Sequence, residues 1–309
     1  MAKRISRIFW ALVTLTLLTW RSNLLLASPP MRLKNLPPVA PKEAAEKLKQ
    51  AEALLEQGLS PELAYRLAYE VYQQHGVVRA VWFPSWLYRQ ARSPLPDPND
   101  RPAVTGSVVE GGHGLPLSML RRGVTSIGVL FRASCALGNY GEIVKWGEML
   151  IRAGNESYGI LKTVESARLA LAQGIKQYPH RRSSNRHTWR PLPLRFREED
   201  YFILVPLEEA CKVLGLGCTI QPNPKMAGGK GIRVTKPDVP NIVYRLFLGR
   251  PVVERLESGR GRTETMAYAP YEENGIVWVP FYWLAKQAGI RWWEVRNGRI
   301  YVAPKQGTK

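Results

Sequence analysis

Apolar side chains recur at helical spacing along the first half of this chain and in short alternating runs along its last third. From Ala44 the apolar positions Ala44, Leu48, Ala51 and Leu55 repeat every three or four residues and stop at Gly58, which predicts a helix. Ser60 then caps a second helix that opens at Pro61 and buries Leu63, Ala64, Leu67, Ala68 and Val71 before His75-Gly76 ends it. Helical spacing returns at Leu117 and runs toward Leu137. Gly138-Asn139-Tyr140 turns the chain, and Ile143, Val144, Gly147, Leu150 and Ile151 form the next stripe. A further helix carries Ile160, Val164, Ala167 and Leu171.

Between these blocks, residues 77–116 hold an aromatic run, a Pro- and Asp-rich run and a glycine-rich "GGHG", so the pattern predicts an irregular insert within a helical region of residues 44–178. The segment 179–200 is rich in Arg, Ser, Asn and Pro and reads as a basic linker.

From Tyr201 the period shortens. "YFILV", "CTIQ", "GIRVT", "NIVYRLFL", "PVVERLE" and "GIVWV" are strands bounded by Pro and Gly, and Asn297-Gly298 marks the tip of a closing hairpin. One stretch is written twice. "ILVPLEEACKVLGL" at 203–216 returns as "VWVPFYWLAKQAGI" at 277–290, with Pro206 and Pro280 at a helix start and Gly215 and Gly289 at its stop. Leu207, Ala210, Cys211 and Leu214 form the inward stripe of the first copy. The shared positions are architectural. Residues that differ, Glu208-Glu209 against Tyr282-Trp283, are where the copies part in chemistry.

Two resemblances follow from these patterns. "ALGNYGEIVKWGEMLIRAG", from Ala136 to Gly154, resembles the turn and second helix of a tetratricopeptide-type repeat, with Leu137-Gly138 and Tyr140 in place. Gly174 follows Gly138 near that family's period, and Leu54 to Ala68 is similar to an outlying member. Such helical pairs imply a concave surface for protein contacts. The strand, Val-Pro, helix, Gly, strand-turn-strand wording of Tyr201 to Pro304 resembles the stalk domain of exported bacterial proteins, also described as the copper amine oxidase N-terminal-like domain. Glu208 and Tyr282 stand where that family tends to have Arg, and "NPKMAGGKG" is a long turn in the first copy. The expected fold class is therefore α+β: a helical-hairpin N-terminal region, tetratricopeptide-like, then a stalk-like strand and helix domain over residues 201–304 and a tail at 305–309.

Charge and the N-terminus change the picture. Lys3, Arg4 and Arg7 precede a charge-free run from Ile8 to Trp20, and small residues follow, so residues 1–27 read as a secretory signal or an uncleaved N-terminal anchor. A Pro-rich linker, residues 28–43, comes next. Loss of 1–27 lowers the net charge from +19 to +15. A field of that sign attracts anionic polymers, lipid or nucleic acid. Export favours an anionic wall polymer or an envelope protein as partner, with contact at a membrane surface also in reach.

Chemistry is sparse. His75, His113, His180 and His187 include no His-x-His, and Asn139-Tyr140 is followed by Gly141, so amine oxidase chemistry is not expected. The Gly228-Gly229-Lys230-Gly231 run lacks a phosphate loop's spacing, and no nucleophile elbow, zinc motif or catalytic carboxylate pair is present. Cys135 reads as a buried residue of a helical stripe, while Cys211 and Cys218 are left either as separate thiols or as a bridge. Aromatics are the remaining lead. Trp82, Phe83, Trp86 and Tyr88 cluster in the insert, and Tyr282, Trp283, Trp292 and Trp293 stand beside Arg291, Arg296 and Arg299 as a candidate ligand surface for an acidic glycan. No catalytic, cofactor or metal residue is expected. The sequence thus points to an exported, non-enzymatic binding or scaffolding protein, with a degenerate wall hydrolase or a basic nucleic-acid binder as alternatives.

Overall fold

Five N-terminal helices form along the apolar stripes, the third of them starting later than its stripe, because each has one apolar face to bury and neighbours close in sequence to bury it against. The structure is a computed structural model that describes residues 36–85, 122–177, 188–223, 230–236, 238–258 and 260–304. The leader, most of the insert including Trp86, Tyr88 and His113, the stretch with His180 and His187, most of the "NPKMAGGKG" turn and the tail lie outside them. The described chain is α+β, with seven helices and four sheets whose strands pair antiparallel. Pro38–Lys309 forms one compact unit.

Helices α1 (Lys42–Glu56), α2 (Pro61–His75), α3 (Ser126–Leu137), α4 (Tyr140–Arg152) and α5 (Tyr158–Ala172) pack in sequence order around Leu48, Ala64, Ala68, Leu130 and Trp146. Trp146 is fully buried, edge-on to Tyr72 at 5.0 Å, with the Lys145 ammonium 4.4 Å from its ring. Gly147 lets α4 approach its neighbours. A Cβ there would lie 2.2 Å from Val164 Cγ2 and 3.1 Å from Phe131 Cε2.

Two expectations for this region are corrected. Residues 122–125, expected to be helical, form strand β2 (Arg122–Thr125) against β1 (Arg79–Trp82), and the helix begins only at Ser126. Thr125 makes the stop and start: its side chain accepts from Gly128 N and caps α3. Ser126 fixes the same corner by donating to Gly76 O and accepting from Val78 N. Cys135, expected inside, is exposed on α3.

The remaining elements are β3 (Arg190–Pro191), β4 (Arg197–Glu199), β5 (Phe202–Pro206), α6 (Leu207–Leu214), β6 (Gly217–Pro222), β7 (Lys230–Lys236), β8 (Val239–Leu246), β9 (Val252–Glu257), β10 (Arg260–Thr265), β11 (Tyr271–Glu273), β12 (Ile276–Pro280), α7 (Phe281–Gln287), β13 (Trp293–Arg296) and β14 (Arg299–Val302). The described end of the expected basic linker is structured. β3 pairs with β14, β4 pairs with β5, and Leu192 and Leu194 are buried, because "PLPLRF" alternates apolar residues at strand period.

The two similarly worded segments meet at their strands. β5 and β12 are antiparallel neighbours, and Val205 faces Val279, its counterpart seventy-four residues on. Both are fully buried. Each strand runs through its proline into a helix that a left-handed glycine follows, Gly215 at φ 70° and Gly289 at φ 74°. The chain between the copies forms the five-stranded meander β6–β10. One side of that sheet supplies Ile232, Val234, Tyr244, Leu246 and Val253 to the core.

Helix α1 also ties the helices to the sheets. Asp200 and Tyr201 form a two-residue turn between β4 and β5, with φ 47° and 64°. That geometry suits Asn-Gly, and holding it with Tyr costs about 1–2 kcal/mol. Contacts from α1, from its C-cap Gln57 and from Ser85 after β1 hold it. Gln57 Nε2 donates to Tyr201 O at 2.7 Å, and Ile203 N donates to Gln57 Oε1 at 2.9 Å. Lys49 pairs with Asp200 at 2.9 Å, and Ser85 donates to the same carboxylate through both its amide and its hydroxyl.

Candidate cationic groove

The aromatic patch foreseen in the second copy does not present a stacking platform. Trp283 is only 3 % exposed and packs edge-on against Tyr244 at 5.6 Å, and Trp293 is 7 % exposed against Phe281 at 4.8 Å. These two are corrected from ligand contacts to core residues. Tyr282 is half-buried, and its hydroxyl accepts from Ala267 N at 2.6 Å. Trp292 is half-buried. Arg291 and Arg299 are exposed, whereas the Arg296 guanidinium lies 4.3 Å from the Tyr301 ring and pairs with Glu294 at 2.5 Å. The cause lies in what covers each copy. Glu208 and Glu209 of α6 face solvent, and Glu209 pairs with Arg195 at 2.6 Å; the equivalent Tyr282 and Trp283 of α7 pack against residues 266–271 and the meander.

In the insert, Phe83 is buried beside Ala53, Phe202 and Tyr268, and Trp82 packs against the helical core. Another aromatic setting is filled from within the chain: Arg197 lies 4.0 Å from the Trp278 ring and 4.7 Å from that of Tyr271, and pairs with Glu273.

Ligand chemistry instead concentrates on the outer side of the meander. Alternation in β6–β10 sends Ile232, Val234, Tyr244 and Leu246 inward and places Thr219, Arg233, Arg245, Glu254 and Thr263 in one row across all five strands. Thr219, Arg233 and Thr263 are exposed. Arg233 stands directly opposite Arg245, and like charges so placed repel. Glu254 offsets one of them, reaching Arg245 at 3.8 Å, and among the described residues no carboxylate pairs with Arg233.

Beside this row is a cleft of about 380 Å³, within the size range of small-ligand sites. Arg233 and Arg245 supply charge to its wall, Gln221 an amide, and Phe247 a half-buried ring. Gly231, opposite Gln221, adds no side chain to the floor. Such a set holds an oxyanion by guanidinium forks and hydroxyls by the amide, while the ring meets an apolar face. Among the described residues that line it, no nucleophile and base are in contact.

Sequence reading missed this groove because Arg233 and Arg245 are separated by a turn and sit in runs that read only as strands. The signal was there in "IRV" and "YRL", where a single arginine alternates out of an apolar strand.

Elsewhere, Cys211 and Cys218 are near each other. Their thiols share a hydrogen bond that raises the proton affinity of Cys211, with burial adding to the rise, and lowers that of Cys218. Among the described residues no three His, Cys, Asp or Glu side chains converge as metal ligands, and no helix is long and apolar enough to cross a membrane. No family model, no curated protein and no solved structure matches this chain.

Proposed function

We propose that this is an exported, non-enzymatic binding or scaffolding protein of the cell envelope, which holds an anionic polymer on the outer side of the five-stranded meander. The observation that carries the reading is the Thr219–Arg233–Arg245–Glu254–Thr263 row, in which two arginines stand opposite one another and Glu254 pairs with Arg245 alone. The leader pattern of residues 1–27 and the excess of basic residues support the same assignment. On this reading the helical region is tetratricopeptide-like and serves protein contacts, and residues 201–304 are a stalk-like module that displays the groove. Arg291 and Arg299, exposed in the second copy, add to the field that gathers the polymer.

Co-sedimentation of the purified protein with isolated envelope tests this. Pelleting should be strong at low ionic strength and fall as salt rises, since exposed charges are screened over about 10 Å at 0.1 M. Absence of pelleting at low salt refutes the reading, and pelleting that ignores salt refutes its electrostatic basis. Clearing of labelled peptidoglycan by the pure protein would overturn the non-enzymatic assignment.

A further inference from the structure

Resting on that reading, we infer that the groove's ligand is an oxyanion carried on a sugar ring, as in an acidic glycan, and that Arg233 and Arg245 clamp the anion while Phe247 packs against the ring. Three features of the site lead there. The first is the cross-strand arginine pair. Strands lie about 4.8 Å apart, so the two side chains rise side by side from adjacent strands, and a shared anion relieves their repulsion. Glu254 relieves only part of it, at 3.8 Å from Arg245.

The second is the mixed character of the cleft. A site for a bare anion needs charge alone, and here Phe247 and Gln221 line the same cleft as the two guanidinium groups. A ring face beside an amide and two planar forks matches the apolar face, the hydroxyls and the acidic group of a charged sugar. The third is the setting. Thr219 and Thr263, at the ends of the row, are short and hydroxylated, and both are exposed, so a chain of sugars continues across the sheet without meeting bulk.

Isothermal titration of the full mature chain with four probes tests the inference: oligogalacturonate, its methyl ester, a phosphomannan and inorganic polyphosphate. Binding of oligogalacturonate assigns a carboxylate, and binding of the phosphomannan a phosphate borne on a sugar ring. Either supports the inference if Arg233→Ala and Phe247→Leu each weaken it about tenfold or more. Arg233→Lys should behave nearly as Arg233→Ala, because a point charge does not replace a fork. The methyl ester should bind at least tenfold more weakly than the acid. Arg262→Ala, which removes an equally exposed cation from the opposite side of the same sheet, should leave affinity within twofold. Three results overturn the inference: no binding of either sugar-borne anion; polyphosphate as strong as the sugar polymers and indifferent to Phe247→Leu; or equal losses for Arg262→Ala and Arg233→Ala. The envelope assay separates the two levels. Salt-sensitive pelleting that Arg233→Ala abolishes, with no affinity for either sugar polymer, removes the inference and leaves the proposed function standing.

Discussion

Replacing Gly147 by Ala sets two effects of opposite sign against each other. In a helix interior the change is favourable by about 1 kcal/mol, since Ala is the better helix former. Against that, the new Cβ would sit 2.2 Å from Val164 Cγ2, a carbon that is itself buried, and 3.1 Å from Phe131 Cε2. Overpacking of this kind costs about 1–3 kcal/mol. The Val164 contact is the tighter, so the clash prevails, and Gly147→Ala should lose about 1–2 kcal/mol. Val164→Ala alone removes two buried carbons and should lose about 2 kcal/mol. In that background the 2.2 Å clash is gone and only the 3.1 Å approach to Phe131 remains, so the helix preference returns as a gain of up to about 1 kcal/mol. The sign of the Gly147→Ala effect therefore reverses between backgrounds. Urea unfolding of the four proteins, followed by circular dichroism and by tryptophan emission, measures the cycle. Equal losses in both backgrounds would refute the close-approach argument and mean that α4 simply shifts away.

Gln57→Ala strips partners from Tyr201 O and Ile203 N and should cost about 2–6 kcal/mol, at about 1–3 for each stranded group, with faster amide exchange at Ile203 than in α4. Oxidation should join Cys211 and Cys218, leaving one titratable thiol, at Cys135, and raising stability by about 2 kcal/mol; three free thiols after exposure to oxidised glutathione would refute their proximity. Burial and donation to Glu142 push the Tyr65 hydroxyl up to about 12 from an ordinary 10.0. The folded state thus holds that proton more tightly. Its contribution is complete below pH 10 and is lost as pH rises toward 12, and Tyr65→Phe should flatten that part of the alkaline unfolding profile.

The helices were legible because a stripe such as Ala44, Leu48 and Ala51 has one meaning at period 3.6. The repeated strand-helix wording was legible for a similar reason, since Pro206 and Gly215 each have few alternatives. What alternation alone did not reveal is coverage. "RWWEV" places Trp293 and Val295 on one side, but only the three-dimensional arrangement puts Phe281 over that side and leaves Arg299 in solvent. The short strand at Arg122 was hidden by an apolar pattern that continues smoothly into α3, and β3 by the arginines around Leu192. Arg233 and Arg245 become neighbours only once register is known, and register is a property of pairing between strands rather than of either strand alone.

The pairing of Val205 with Val279 sets an order of events during synthesis. When β5 leaves the ribosome its partner β12 is not yet made, so one edge of a fully buried strand waits until the chain has extended to Ile276. Helices α1 to α5 need only near neighbours and are complete before then. The sheet of the second half closes late, over a long loop, and the meander carrying Arg233 and Arg245 is the very segment that must be spanned. During that interval "YFILV" is an apolar strand with β4 on one edge and nothing on the other, the stretch of this protein most in need of a chaperone.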